Sequence, residues 1–461
     1  MDTLKEHLHY IGIPYYINGN PESIDDKKYN NIKLALTSNP IKNCNEFQVE
    51  KWKKKKFNNL RLYEKRYPDE AKIFFNEILP YIIEQALKLP EYLKKPIPLL
   101  GRYMNIAITL NKLQVISLLA NQFLCIFTNE NSKLYDTPYC SFLSLLSTDD
   151  SPANNSVEKI RCVIHYFDRM RKKELHNLKT ELITFQRVSL DEQSIPDWEN
   201  TSVKLCNIII DKEKFIEDCE NMIQVDFANS YIGDGVLTLG CVQEEIRFAI
   251  NPELLVSLNF TQRLDPLESV YIIGVERVSK YKCYGYTFQY DGDYDDSSIA
   301  FDKWNRKSTE IVALDAGYYS SSYKKYIQFS EKETKREMNK LYASFKENEF
   351  SILKKGSYIA TGNWGCGVFN GDIELKSLLQ IIVASHAEKN IYYCSFGNIK
   401  IINGLSELIS NLRKHNITTD ILYKLIKAYN NEVIFEKVNK DSPPKITLFN
   451  YIMEKIKIVK I

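Results

Sequence analysis

Apolar residues recur at helical spacing over Ala71 to Leu89, Ile106 to Phe127 and Val157 to Met170, so each stretch predicts a helix with one face turned inward. Pro80, Pro90, Pro96 and Pro98 punctuate this first part of the chain. After Pro196 the pattern shortens to runs of β character: Lys204 to Ile210, Ile223 to Ala228, Val270 to Val275, Thr309 to Leu314, Ser357 to Thr361 and Ile391 to Phe396, alternating with helical segments. That alternation predicts a layered α/β domain, and an α+β protein overall once the helical front is counted. The pattern places 1–197 as a helical accessory region and 198–461 as the α/β domain with C-terminal helices.

Tyr103 to Phe127 is the most apolar long stretch, but Asn105, Asn111, Lys112, Gln114, Asn121 and Gln122 interrupt it. These would be costly in lipid, so the stretch reads as a buried helix and no membrane association is expected. The first residues, Met1 to His7, mix charges where a secretory leader needs a basic end and an apolar run; an intracellular location is expected. Gln289 to Lys303, rich in Asp, Tyr and Ser, reads as an exposed insertion, and the lysine run Lys51 to Lys56 as a solvated surface, with a nuclear-import or polyanion patch as the alternative.

With 461 residues, 44% hydrophobic and 26% charged, the chain can bury a sizeable core. Lys+Arg 61 against Asp+Glu 59 leaves a net charge of +2, too balanced to coat nucleic acid, so no direct DNA binding is expected and an anionic ligand must be held locally. Ten cysteines without a CxxC pair and six histidines without metal-ligand spacing predict no metal and no cofactor.

Two glycine-rich corners carry the candidate chemistry. Val225-Asp226-Phe227-Ala228-Asn229 is a strand running into Gly233-Asp234-Gly235, where glycines let the backbone approach a ligand. Seven residues later Gln243-Glu244-Glu245 opens a helix. Helical phase sets Glu245 beside the stripe Val242, Ile246, Ala249 and Ile250 and points Glu244 away, making Glu245 the candidate general acid. The second corner is Thr361-Gly362-Asn363-Trp364-Gly365-Cys366-Gly367-Val368-Phe369, between a strand and a buried helix from Ile373 to His386. Backbone N–H groups in such a loop can cradle a diphosphate without net positive charge. Tyr281, Tyr284 and Tyr286 lie in a tyrosine-dense segment suited to stacking a base.

Together these segments resemble the poly(ADP-ribose) glycohydrolase family, whose signature joins a glycine triplet to Gln-Glu-Glu across a short spacer. Gln224 to Asn229, Ile246-Arg247-Phe248, Asn251-Pro252-Glu253-Leu254, Thr361 to Gly367 and Leu118-Leu119-Ala120-Asn121 are similar to it as well. The resemblance runs from about residue 100 to about 400. It implies a macrodomain-like mixed sheet flanked by helices, a helical accessory domain, and hydrolysis of poly(ADP-ribose) mainly from chain ends. It implies Glu245 as acid/base, Glu244 and Asn229 on the ribose hydroxyls, and Asp226 supporting the acidic site. Gly233, Gly235, Gln243, Gly365, Cys366, Gly367, Val368 and Phe369 would hold the diphosphate and ribose, and Ile216, Glu217 and Tyr284 the adenine. Partners implied are poly(ADP-ribose) and ADP-ribosylated proteins, met by a monomer in nucleus or cytoplasm in the DNA damage response. Asp234 departs from the triplet, and a carboxylate there would repel a diphosphate unless it points away. Competing readings are a macrodomain that binds ADP-ribose without cleaving it, a nucleotide-dependent enzyme of other chemistry, and a helical adaptor.

Overall fold

A computed structural model describes 57–127, 130–147, 155–319, 324–435 and 444–458, with pieces of 16–37; the lysine run Lys51 to Lys56 lies outside the described residues. The chain folds into two compact units that interleave in sequence, one made of Met1–Gln186, Tyr231–Arg263 and Ile272–Ser308, the other of Arg187–Ser230, Leu264–Tyr271 and Thr309–Ile461. Chain order and spatial division therefore differ.

The first unit is mostly helical, as its periodicity predicts. Pro68–Ile73, a π turn Phe74–Ile78 and Leu79–Leu87 form one helical run. The π turn precedes Pro80, whose missing N–H interrupts the regular ladder. The expected helix over Ile106 to Phe127 is instead strand β1 (Ile106–Asn111) followed by helix α1 (Lys112–Phe123). The alternation Ile106, Ile108, Leu110 is a strand period, and Asn111 stops it by capping α1, accepting from the Gln114 N–H while Gln114 returns a bond to the Asn111 N–H. β1 pairs with β2 (Leu182–Ser189), a strand the sequence pattern did not disclose. Helix α2 (Ser156–Lys172) contains the predicted Val157 to Met170.

The second unit holds a sheet in which four pairings are parallel. Strands β3 (Ile208–Asp211), β4 (Ile223–Ala228), β5 (Glu268–Ile273, crossing the unit boundary), β8 (Glu310–Asp315), β9 (Tyr358–Gly362) and β10 (Asn390–Cys394) lie in the order β5-β8-β4-β9-β10-β3. β8 and β9 flank β4 in parallel, and β10 runs parallel to both β9 and β3. β4 is buried along nearly its whole length, as a central parallel strand covered on both faces must be. Helix α5 (Ile373–His386) is buried nearly all round, lying inside the main core with Ile223, Val225, Val312 and Ile359. The α/β sheet flanked by helices is therefore the observed architecture.

In the first unit, Gln289–Asp293 is not a loop but strand β7, pairing antiparallel with β6 (Ser279–Lys282), with Gln289, Asp291 and Asp293 exposed as expected. The acidic segment after it is anchored too: Asp296 is buried against Lys307 at 3.0 Å. Among the described residues no helix is long and apolar enough to cross a membrane.

Candidate active site

In the first unit the chain turns through 231–240 and enters helix α3 (Gln243–Ile250). Gly233 adopts φ +73°, a conformation that suits glycine, and a Cβ there would meet Phe248 and Leu258 at 2.9 Å. Both glutamates of α3 are buried, Glu244 at 3% and Glu245 at 7% exposure. Helical phase turns Glu244 away from the apolar stripe, yet it is buried all the same. Its Oε1 accepts the Gly233 N–H at 2.6 Å, so the corner folds back over the start of α3 and covers it. Val242 is the residue that leaves the predicted stripe; it caps α3 and is exposed.

Glu245 Oε2 accepts the Val242 N–H at 2.7 Å. Its Oε1 faces the two flanking glycines: a Cβ on Gly235 would overlap it, and one on Gly240 would come within 2.8 Å. The loop is built around this carboxyl. Gln243, half-buried, opens the helix beside it. Tyr284 packs on a small cluster of Cys162, Cys241, Ile246, Ala249 and Phe288, so within this unit it lies on the face that carries α3. Tyr286 is exposed and the next turn is fixed by Asn155, whose amide donates to the Gly285 carbonyl at 3.0 Å.

Asp234 is half-buried, and burial pushes its carboxyl above the usual range. A carboxyl whose folded pKa is raised costs stability once pH rises through its unfolded value. Asp234→Asn should therefore raise the melting temperature at pH 7 and leave it unchanged near about pH 3, where both states carry the proton. Thermal unfolding at the two pH values checks this; an unchanged or lowered melting temperature at pH 7 would mean the carboxylate is paired.

In the second unit, Asp226 is buried on β4 opposite Ala313 of β8, and half-buried Asn229 follows the end of β4. The loop after β9 is shaped by close approaches. Gly365 has φ +72° and a Cβ there would sit 2.5 Å from Ala316 Cβ, while Gly371 packs on the Gly365 carbonyl. Gly367 is different, because a Cβ added to it meets nothing within 4 Å. Gly367 and Val368 are exposed, Cys366 and Phe369 half-buried. The Phe369 carbonyl accepts the Tyr319 N–H at 2.8 Å and its ring meets Tyr318 edge-on at 5.6 Å.

Beneath this loop lies a buried charge network the sequence did not disclose. Lys376 of α5 pairs with Glu337 of helix α4 (Glu331–Phe345), and its ammonium lies 4.3 Å from the Trp364 ring centroid. Glu337 also accepts the Gly317 N–H at 2.9 Å and Arg336 at 2.7 Å. One carboxylate thereby ties the loop after β8 to the loop after β9. The helix N-terminus itself is closed by Asp372, which accepts the Leu375 N–H at 2.9 Å.

Ile216 and Glu217 sit on a buried 3₁₀ turn, Ile216 clustered with Cys219, Ala360 and Cys394. Beside them Phe215 and Phe396 form an exposed aromatic pair with centroids 5.5 Å apart. The Phe396 backbone takes a left-handed φ of +55° and its ring is 52% exposed.

Gly367→Val gives a clean test of the loop. It should leave thermal stability within about 0.5 kcal/mol of the parent and abolish close backbone approach, weakening ADP-ribose binding in calorimetry. Unchanged affinity would remove the loop from the site. Gly365→Val is the poorer probe, since strain and the Ala316 overlap would unfold it locally.

Comparison with known proteins completes the picture. Residues 67–187 match the family described as poly(ADP-ribose) glycohydrolase, helical domain, and residues 195–403 the one described as poly(ADP-ribose) glycohydrolase, macro domain fold. The chain is 28% identical over 451 residues to poly(ADP-ribose) glycohydrolase 1 of Arabidopsis thaliana, covering 80% of each chain. It is 30% identical over 422 residues to the probable poly(ADP-ribose) glycohydrolase 2 of that organism, covering 79% of this chain and 80% of the relative. Over 302 residues it is 30% identical to poly(ADP-ribose) glycohydrolase 1 of Caenorhabditis elegans, covering 63% of this chain and 37% of the relative.

Proposed function

Because the chain belongs to the poly(ADP-ribose) glycohydrolase family, we propose that it hydrolyses the ribose–ribose O-glycosidic bonds of poly(ADP-ribose), releasing ADP-ribose mainly from chain ends. The observation that carries this reading is the seat of Glu245: a buried carboxyl anchored through one oxygen, the other facing two glycines. A protein that only binds ADP-ribose needs no acid so placed.

Glu245 gives its proton to the leaving ribose oxygen as the C–O bond breaks and the sugar takes on oxocarbenium character. The resulting carboxylate then takes a proton from water, whose oxygen bonds to the anomeric carbon, and Glu245 is restored. Glu244, anchored on the Gly233 N–H, positions the ribose hydroxyls with Asn229, and Asp226 supports the acidic site. Gly233 and Gly235, Gln243, and the loop Gly365 to Phe369 hold ribose and diphosphate. Ile216, Glu217 and Tyr284 take the adenine, and the exposed Phe396 supplies a further stacking face. Partners are poly(ADP-ribose) and ADP-ribosylated proteins, in the nucleus or cytoplasm during the DNA damage response. The chain acts as a monomer, without direct DNA or membrane binding.

Incubation with purified poly(ADP-ribose), with products resolved by chromatography, tests the function. ADP-ribose monomer accumulating from the earliest times is expected. Bound but unchanged polymer would make the protein a reader, and early oligomers would overturn the chain-end preference.

A further inference from the structure

Helix α2 sends one lysine into the loop that precedes Glu245. Lys159 is 1% exposed, and its ammonium donates to the carbonyls of Val236 at 2.8 Å, Thr238 at 2.8 Å and Gly240 at 2.6 Å. All three donors of the ammonium are thereby used on one turn of backbone. Three carbonyl oxygens brought to a single buried point repel one another unless a cation or donor sits between them.

Among the described residues one other buried lysine, Lys389, is held by carbonyls alone, donating to those of Leu353 and Lys354, whereas most of the rest are ion-paired. Lys112 pairs with Glu253, Lys340 with Asp315 and Lys376 with Glu337. Among the described residues no carboxylate lies within ion-pair distance of Lys159. Burial pushes its pKa down to about 8, with Cys241 and Glu245 pulling it back up. A lysine so placed costs stability relative to an apolar residue of the same size, so packing alone does not account for it.

The geometry of the loop does. Gly235 and Gly240, which bracket the three carbonyls, are the two glycines whose α-carbons make room for Glu245 Oε1. Any drift of 236–240 moves that wall of the carboxyl's seat. We propose that Lys159 is a positioning residue for the hydrolysis: by gathering the carbonyls of Val236, Thr238 and Gly240 it fixes the turn that seats the Glu245 carboxyl. The inference rests on the reading of Glu245 as the acid/base.

The test uses the full chain with Lys159→Ala, and Glu245→Gln beside it. For Lys159→Ala, kcat on poly(ADP-ribose) should fall by about 100-fold, the effect of a misplaced catalytic group, while KM and ADP-ribose affinity change by less than about threefold. Added n-propylammonium replaces the missing part of the side chain and should restore kcat by about tenfold or more. Tetramethylammonium, a cation with no N–H donor, should restore nothing, and neither salt should rescue Glu245→Gln. If Lys159→Ala does not fold, Lys159→Gln is measured for the same split between kcat and KM. Failure of both variants to fold would make Lys159 a purely structural residue and overturn the proposal. A Lys159→Ala enzyme of ordinary kcat, or one whose loss propylammonium does not touch, would overturn it as well while Glu245→Gln remains inactive. An active Glu245→Gln would instead bring down the reading on which the proposal rests.

Discussion

Glu245→Gln should lower turnover of poly(ADP-ribose) by ~10² to 10⁴, about 2.7 to 5.4 kcal/mol of transition-state stabilisation, while ADP-ribose still binds. Glutamine keeps the size of the side chain and an oxygen able to accept the Val242 N–H, so the seat built by Gly235 and Gly240 is preserved. What disappears is the transferable proton. Steady-state kinetics on polymer and calorimetry with ADP-ribose separate the two effects. Glu244→Gln is the internal control. An amide oxygen can still accept from the Gly233 N–H, so the corner should hold and the loss should be the smaller of the two. If Glu244→Gln alone abolishes turnover, the roles of the two carboxyls are reversed.

Glu337→Ala should destabilise the protein by about 3 to 5 kcal/mol, because it leaves the buried Lys376 ammonium without its carboxylate, while Arg336 keeps its pair with Asp315. Lys376 and Glu337 are fully buried, and Arg336 bonds the same carboxylate. Burial alone would raise the Glu337 pKa, yet Lys376 and Arg336 overcome it and hold the carboxyl below its ordinary value. A depressed folded pKa contributes stability above the unfolded pKa and loses it as pH falls through the folded one. The deficit of Glu337→Ala should therefore be full at pH 7 and shrink on acidification through the carboxylate range. Denaturant unfolding at the two ends of that range measures it. A difference below about 1 kcal/mol at pH 7 would place the network in a solvated setting instead. The loop after β9 should loosen with it, since Glu337 holds Gly317 and Lys376 lies against Trp364.

How far the sequence could be read depended on whether the signal was local. β4, α2 and α5 carry strong periodicity, and each forms within two residues of its predicted bounds. Ile106 to Asn111 failed because a six-residue alternation running directly into a helix blends into a helical period unless the cap at Asn111 is weighed. The burial of Glu244 was illegible for a different reason. Helical phase finds the side turned from the helix's own apolar stripe, but the glycine corner folds back and covers that side, a contact made by chain outside the helix. Lys159, Glu337 and Lys376 left no trace in the pattern, because a lysine or glutamate looks the same in sequence whether solvated or buried against carbonyls 77 to 81 positions away. Gly233, Gly235 and Gly365 were legible as glycines, and the structure shows which close approach each one permits.

The claim at the centre of this account is that one carboxyl, Glu245, serves both proton transfers on one face of the sugar. The configuration at the anomeric carbon of the first-formed product tests it most directly. Reaction in aqueous methanol traps part of the product as a methyl glycoside, which does not mutarotate, and proton NMR reads its configuration. The account predicts the configuration of the polymer, retained. An inverted methyl glycoside would require a second base on the opposite face and would contradict it.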